Sequence, residues 1–150
     1  MDDGPQQTPL DEARVRETIL SLLPEKHFDI VITHSPFGEY TRHLRHEETA
    51  RAVISLWRDG TISTGELRLF AYDDDNAEKI PLPIKQAHMH CNLPKNIRRE
   101  KYCIITKIYG FQENGFEASA AASKEEAFWR FTQPQAAWDW MMKNKGGRKK

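Results

Sequence analysis

Little in this sequence marks it for a specialised environment. Among its 150 residues there are only two cysteines, Cys91 and Cys103. That is too few for the disulfide framework of a small secreted domain, so a reducing, cytoplasmic setting is the expectation. No apolar run approaches the roughly 18 residues of a membrane span. The opening MDDGPQQTP lacks the basic and apolar regions of a signal peptide. An excess of one charge is also lacking, because 22 basic and 22 acidic side chains cancel. A dedicated nucleic-acid binder normally carries a basic footprint, so none is expected here. Internal repeats are absent. What remains is one domain's worth of chain, 39% hydrophobic and 29% charged, long enough for a real core.

The patterning predicts an α/β protein. Thr8-Pro9-Leu10-Asp11 has the form of a helix start, with Thr8 as cap and Pro9 at the first helical position. Val15, Ile19, Leu22 and Leu23 follow at helical spacing, and Pro24 closes the helix. Residues 28–33 are mostly apolar and β-branched with little alternation, as in a central strand covered on both faces. Ala50, Val53, Ile54 and Trp57 mark the inner face of the next helix. Residues 66–72 and 102–109 read as further strands, 73–79 as an acidic surface loop and 86–99 as partly helical. Ser123-Lys124-Glu125-Glu126 has capping-box spacing and predicts a helix through Phe131. Residues 1–134 are read as part of one domain, and 135–150 as a last helix with a basic tail. Only about three strands are expected, with the best one following a lone helix. The inventory resembles the middle of a doubly wound, mostly parallel sheet whose N-terminal strands lie elsewhere.

The densest chemistry lies just after the first strand. In open α/β sheets, loops at the carboxyl ends of strands bind ligands. Here that loop carries His34, Glu39, Tyr40, Arg42, His43 and His46. His43 and His46, three apart, share one side of a helix. Zinc favours imidazole nitrogen and carboxylate oxygen, with three protein ligands and one open position in catalytic sites. A bare histidine pair is more often an ordinary polar helix entrance, with Arg42 and Arg45 paired to Glu47 and Glu48. Two other clusters are read as structural. His88-Met89-His90-Cys91 is a polar surface segment, and Trp129, Trp138 and Trp140 with Phe128 and Phe131 serve packing.

The string Thr33-His34, Gly38-Glu39-Tyr40 and His43-Leu44-Arg45-His46, followed by a helix, resembles the C-terminal histidine motif of the PIG-L/LmbE zinc-dependent N-deacetylases, which usually reads TH…GEYGHPDH. Lys107 to Phe111, Phe116-Glu117-Ala118 and Glu125 to Trp129 resemble closing segments of one branch of that family. The resemblance covers nearly the whole chain. It implies hydrolysis of an N-acyl amide on an amino sugar or related small molecule, with zinc as cofactor. His46 then matches the family's C-terminal zinc ligand, and His43 the histidine that stabilises the tetrahedral transition state. Tyr40 matches the oxyanion-site tyrosine, although it precedes His43 by three positions instead of two. His34, Glu39 and Arg42 are expected to bind substrate. Arg45 stands where the family has an acid. The family's other two zinc ligands and its general base come from an AHPDD motif, and no His-Pro-Asp-Asp occurs in this sequence. The expectation is therefore the C-terminal part of a deacetylase, inactive or nearly so as a bare chain. Its partners would be an N-acetylated small molecule and a complementary N-terminal half or a second copy. The rival is a non-catalytic module, and a third reading is a self-contained zinc site from His34, His43 and His46.

Overall fold

A computed structural model describes residues 7–39, 43–73 and 80–145. Among the described residues five α-helices are formed: α1 (Glu12–Leu22), α2 (Leu44–Arg58), α3 (Lys95–Cys103), α4 (Phe116–Ala121) and α5 (Pro134–Asn144). Six strands accompany them: β1 (His27–Thr33), β2 (Ser63–Phe70), β3 (Tyr72–Asp73), β4 (Leu82–Pro83), β5 (Met89–Asn92) and β6 (Glu125–Phe131). The strands form a mixed sheet in the order β1-β2-β6-β5 and a separate β3-β4 pair. β1 and β2 run parallel, joined through α2, while β5 and β6 run antiparallel. The α/β expectation holds, but the sheet is mixed instead of mostly parallel. The chain forms two compact units, one built from the chain up to Gly38 with Arg42–Phe70 and Arg130–Lys150, the other centred on Ala71–Trp129.

In the first unit, α2 carries the core. Ala50, Val53, Ile54 and Trp57 are buried at the expected spacing, with Leu56 beside them. Full burial of a side chain such as Ile54 contributes about 1.5–3 kcal/mol. Val31 pairs with Leu67 and Thr33 with Leu69. In-register residues of parallel strands share a face, and Leu67 and Leu69 are fully buried. The opposite face carries Ile30 beside Glu66 and Ile32 beside Arg68, and these isoleucines remain 46% and 52% exposed. The expected central strand covered on both faces is thus an edge strand covered on one. Its physical cause is that α2 supplies a layer to the Leu67–Leu69 side, leaving the other side to charge. There Glu66 is held between Arg68 and Arg130, the latter at 2.5 Å.

α1 begins at Glu12, three residues after Pro9, the expected first helical position. The Asp11 carboxylate accepts from Ala13 N at 2.7 Å, so Asp11, not Thr8, is the cap. The Thr8 carbonyl is instead taken by Arg45 at 2.7 Å.

In the second unit two expectations are reversed. The segment expected as a strand, 102–109, is helical through Ile108: α3 starts after Pro94 and continues into a π-helical turn, Ile104–Ile108. The strong helix formers of α3 propagate the helix. Thr106 returns its hydroxyl to the Tyr102 carbonyl at 2.9 Å, and Gly110, at φ 78°, provides the left-handed stop. The segment predicted to be a helix from Ser123 is β6. Ser123 Oγ donates to the Glu125 carbonyl at 2.7 Å, and Ala127 and Phe128 are buried in antiparallel register opposite His90 and Met89. Aromatic residues fit a half-buried pleated surface better than a helix, and packing decides. The acidic loop is outside the described residues from position 74 onward.

Candidate functional site

The loop that follows β1 turns sharply. Ser35 accepts from Phe37 N through Oγ at 3.2 Å and from Gly38 N through its carbonyl at 3.4 Å. Gly38 adopts φ 88°, a conformation costly for a side chain with a Cβ. Ser35, Pro36 and Glu39 are buried, and Phe37 lies against Trp140 of α5 with ring centroids 5.3 Å apart. Arg51 fixes the loop from α2, donating to the Pro36 carbonyl at 3.0 Å and to Glu47 at 2.8 Å.

The turn brings the histidines together. The rings of His34 and His46 stack at 3.7 Å, nearly parallel, and His43 and His46 stack at 4.4 Å. His43 is the residue before α2, and its side chain does not cap the helix. Its Nε2 lies 3.2 Å from the Gln7 amide nitrogen. His34, Glu39 and His46 each offer a ligand atom, and these atoms lie within 4.8 Å of one another. No other group of this kind occurs among the described residues. Glu39 is 1% exposed, and a carboxylate so deeply buried requires compensation by a positive or hydrogen-donating neighbour.

The donors fit a metal by chemistry: two imidazoles and one carboxylate are a recognised catalytic zinc set. Metal–nitrogen bonds of about 2.0–2.1 Å hold ligands closer together than 4.8 Å, and lie in the ring plane. The near-parallel His34 and His46 rings must therefore turn toward each other to share an ion.

The predicted residues fall as follows. His34, Glu39, His43 and His46 converge. The cluster joins Glu39, not His43, to the other two histidines, and it brings His34 and Glu39 within 4.8 Å of His46 where sequence suggested substrate contact. Tyr40 and Arg42 lie outside the described residues. Arg45 pairs with Glu48, which also accepts from Leu10 N at 2.8 Å. It therefore ties the N-terminal segment to α2. Glu47 pairs with Arg51. Gln7 was not foreseen, since nothing in sequence relates it to a histidine 36 positions away. The His88–Cys91 segment gathers no metal group: His90 bonds Glu125 at 3.0 Å, and His88 sits edge-on to Trp129 at 5.2 Å. The C-terminal aromatics pack as expected, Phe131 on Trp140 at 5.3 Å, with Arg58 4.1 Å above the Trp138 ring.

Against family models, curated proteins and solved structures, the chain has no significant match. No described helix is long and apolar enough to cross a membrane.

Proposed function

We propose that this chain is the C-terminal part of a PIG-L/LmbE-type N-deacetylase, acting on an N-acyl amide of an amino sugar or related small molecule. The observation that carries the reading is the gathering of His34, Glu39, His43 and His46 where β1 gives way to α2. This is the position the family motif gives its C-terminal histidines. His46 would hold zinc, and His34 and Glu39 lie where they can hold or orient it. Zinc, when bound, supplies a Lewis acid that polarises a carbonyl and activates water. His43 would donate a hydrogen bond to the oxygen that gains charge in the transition state. The general base is the family's AHPDD aspartate, so the bare chain is proposed to be inactive or nearly so. A doubly wound sheet would be completed by the strands that carry that motif.

A second reading, a non-catalytic module that pairs with a separate half, is favoured by one observation. β1 is an edge strand with Ile30 and Ile32 exposed, and an open apolar edge is a template for another strand.

The test is to join or co-express the chain with a segment carrying a strand and AHPDD, then assay deacetylation of N-acetylglucosamine-type substrates with metal content measured alongside. Zinc-dependent hydrolysis should appear. His46→Ala should remove metal and activity together. His43→Ala should keep the metal and slow turnover about a hundred- to a thousand-fold. If the joined protein hydrolyses nothing, or His46→Ala changes neither metal nor rate, the deacetylase reading fails.

A further inference from the structure

His34 follows β1 directly, Glu39 lies in the turn after it, and His46 belongs to the first turn of α2. Their ligand atoms lie within 4.8 Å of one another. Ligands placed tetrahedrally around zinc at about 2.0–2.1 Å stand about 3.3 Å apart, so no pair has to close by more than about 1.5 Å. The side chains that must move are able to. His34 and His46 are half-buried, and the terminal torsion of histidine is broad, so the stacked rings can turn their edges together at little cost.

Glu39, by contrast, is set in place. It is 1% exposed, and the turn that carries it is closed by Ser35, Gly38 and the Arg51 bond to the Pro36 carbonyl. A carboxylate at such depth gains strongly from a divalent cation, because the interior screens charge poorly. Two imidazole nitrogens select zinc or a similar borderline metal over magnesium or calcium, which take oxygen ligands. Three protein donors also leave a fourth position open. His43 stands outside the group, stacked on His46 at 4.4 Å with its Nε2 3.2 Å from the Gln7 amide nitrogen. That is the place of a partner that orients a ligand.

We infer that the chain by itself binds one zinc ion through His34, Glu39 and His46, with no ligand from an AHPDD segment. The inference shares His46 with the deacetylase reading but needs neither its substrate nor its missing half. His34 and Glu39 take the place of the two ligands which that reading draws from elsewhere.

The experiment is calorimetric titration of the untagged, metal-free full chain with zinc, and titration with cobalt(II) followed by visible absorption. One-to-one binding is expected, with the absorption bands of four-coordinate cobalt and a higher unfolding temperature when metal is present. His34→Ala, Glu39→Gln and His46→Ala should each weaken affinity at least about 100-fold, the upper end of what losing an outer partner costs. His43→Ala should weaken it by no more than about ten-fold. His88→Ala with His90→Ala should leave it unchanged. Circular dichroism checks the fold of each variant; should Glu39→Gln not fold, the cobalt spectrum and the two half-buried histidines still decide. The inference is overturned by absent stoichiometric binding, by a loss below about ten-fold in His34→Ala, Glu39→Gln or His46→Ala, or by a loss in the His88–His90 pair. A His43→Ala loss as large as that of His34→Ala would also overturn it, in favour of the three histidines. If the bare chain binds nothing while the joined protein holds zinc and hydrolyses its substrate, this inference fails and the deacetylase reading stands. If the bare chain binds zinc and the joined protein hydrolyses nothing, the reverse holds.

Discussion

α2 and the continuous helix 95–108 are of near-equal length and both are rich in charge, yet they place their apolar residues in opposite ways. α2 sets Ala50, Val53, Ile54 and Trp57 on one side and buries them all. Its charged side chains also have defined partners: Arg45 with Glu48, Arg51 with Glu47 and the Pro36 carbonyl. The helix 95–108 has isoleucines of the same hydrophobicity, but the bonds it makes are polar, from the Thr106 hydroxyl to the Tyr102 carbonyl and from Lys101 to Glu126, while Ile97, Ile104 and Ile108 are exposed. Hydrophobic content alone does not say what a helix does. The pairing of apolar spacing with an available sheet face does: Leu67 and Leu69 give α2 something to cover.

The largest effect expected from this contrast is on stability. Ile54→Ala should cost about 2–5 kcal/mol, because it opens a cavity in a fully buried site. Ile108→Ala should stay within about 0.5 kcal/mol of wild type, as for surface positions generally. Urea denaturation of both variants measures the difference. Comparable losses would show that helix 95–108 is covered in solution and would break the comparison.

A smaller effect concerns the charges. Arg51→Met removes a partner of buried Glu47 and a donor to the Pro36 carbonyl. A cost of about 1–3 kcal/mol is expected. Adding Glu47→Gln should recover part of it, since removing both charges of a pair is milder than removing one. Arg99→Gln on the exposed helix should change stability by no more than about 0.5 kcal/mol. If the double variant is no better than Arg51→Met alone, the loss comes from the Pro36 contact and the pair contributes nothing.

The same contrast explains what could be read from the chain. The α2 periodicity and the His34–His46 loop were legible, because the first depends on local spacing and the second on a compact motif. The helix at residues 102–109 was not. Ile104, Ile105, Ile108 and Tyr109 are residues that favour strands, and the helix was decided by preceding helix formers and the Gly110 stop. Ser123 misled in the other direction: its hydroxyl bonds Glu125 locally in an extended segment, a turn chemistry that shares its residue types with a capping box. The exposure of Ile30 and Ile32 was also hidden, because a strand's sequence does not reveal how many layers cover it. Glu39 as a companion of His34 and His46 was within reach, since all three lie close in sequence, between the end of β1 and the first turn of α2. Gln7 beside His43 was not, because the contact is made only by the folded chain.

The smallest effect is a pH dependence that sets one ion cluster against another. Arg130, by its hydrogen bond to Glu66, and Arg68 beside it hold the Glu66 carboxyl down to about 2 from an ordinary 4.5. The folded state therefore retains a negative charge that the unfolded chain loses first. Its stabilisation is fully present above about pH 4.5 and declines as pH falls from there toward about 2. Glu113 is also lowered, by its hydrogen bond from Lys107, but both partners of that pair are largely exposed and solvent screens them. Denaturation midpoints near neutral pH and at about pH 3 should accordingly draw together in Arg130→Gln, which removes the dominant donor to Glu66. Lys107→Gln should leave the wild-type acid dependence in place. An acid dependence unchanged by Arg130→Gln, or abolished by Lys107→Gln, would move the acid-sensitive interaction from the β1–β2 face to the exposed helix.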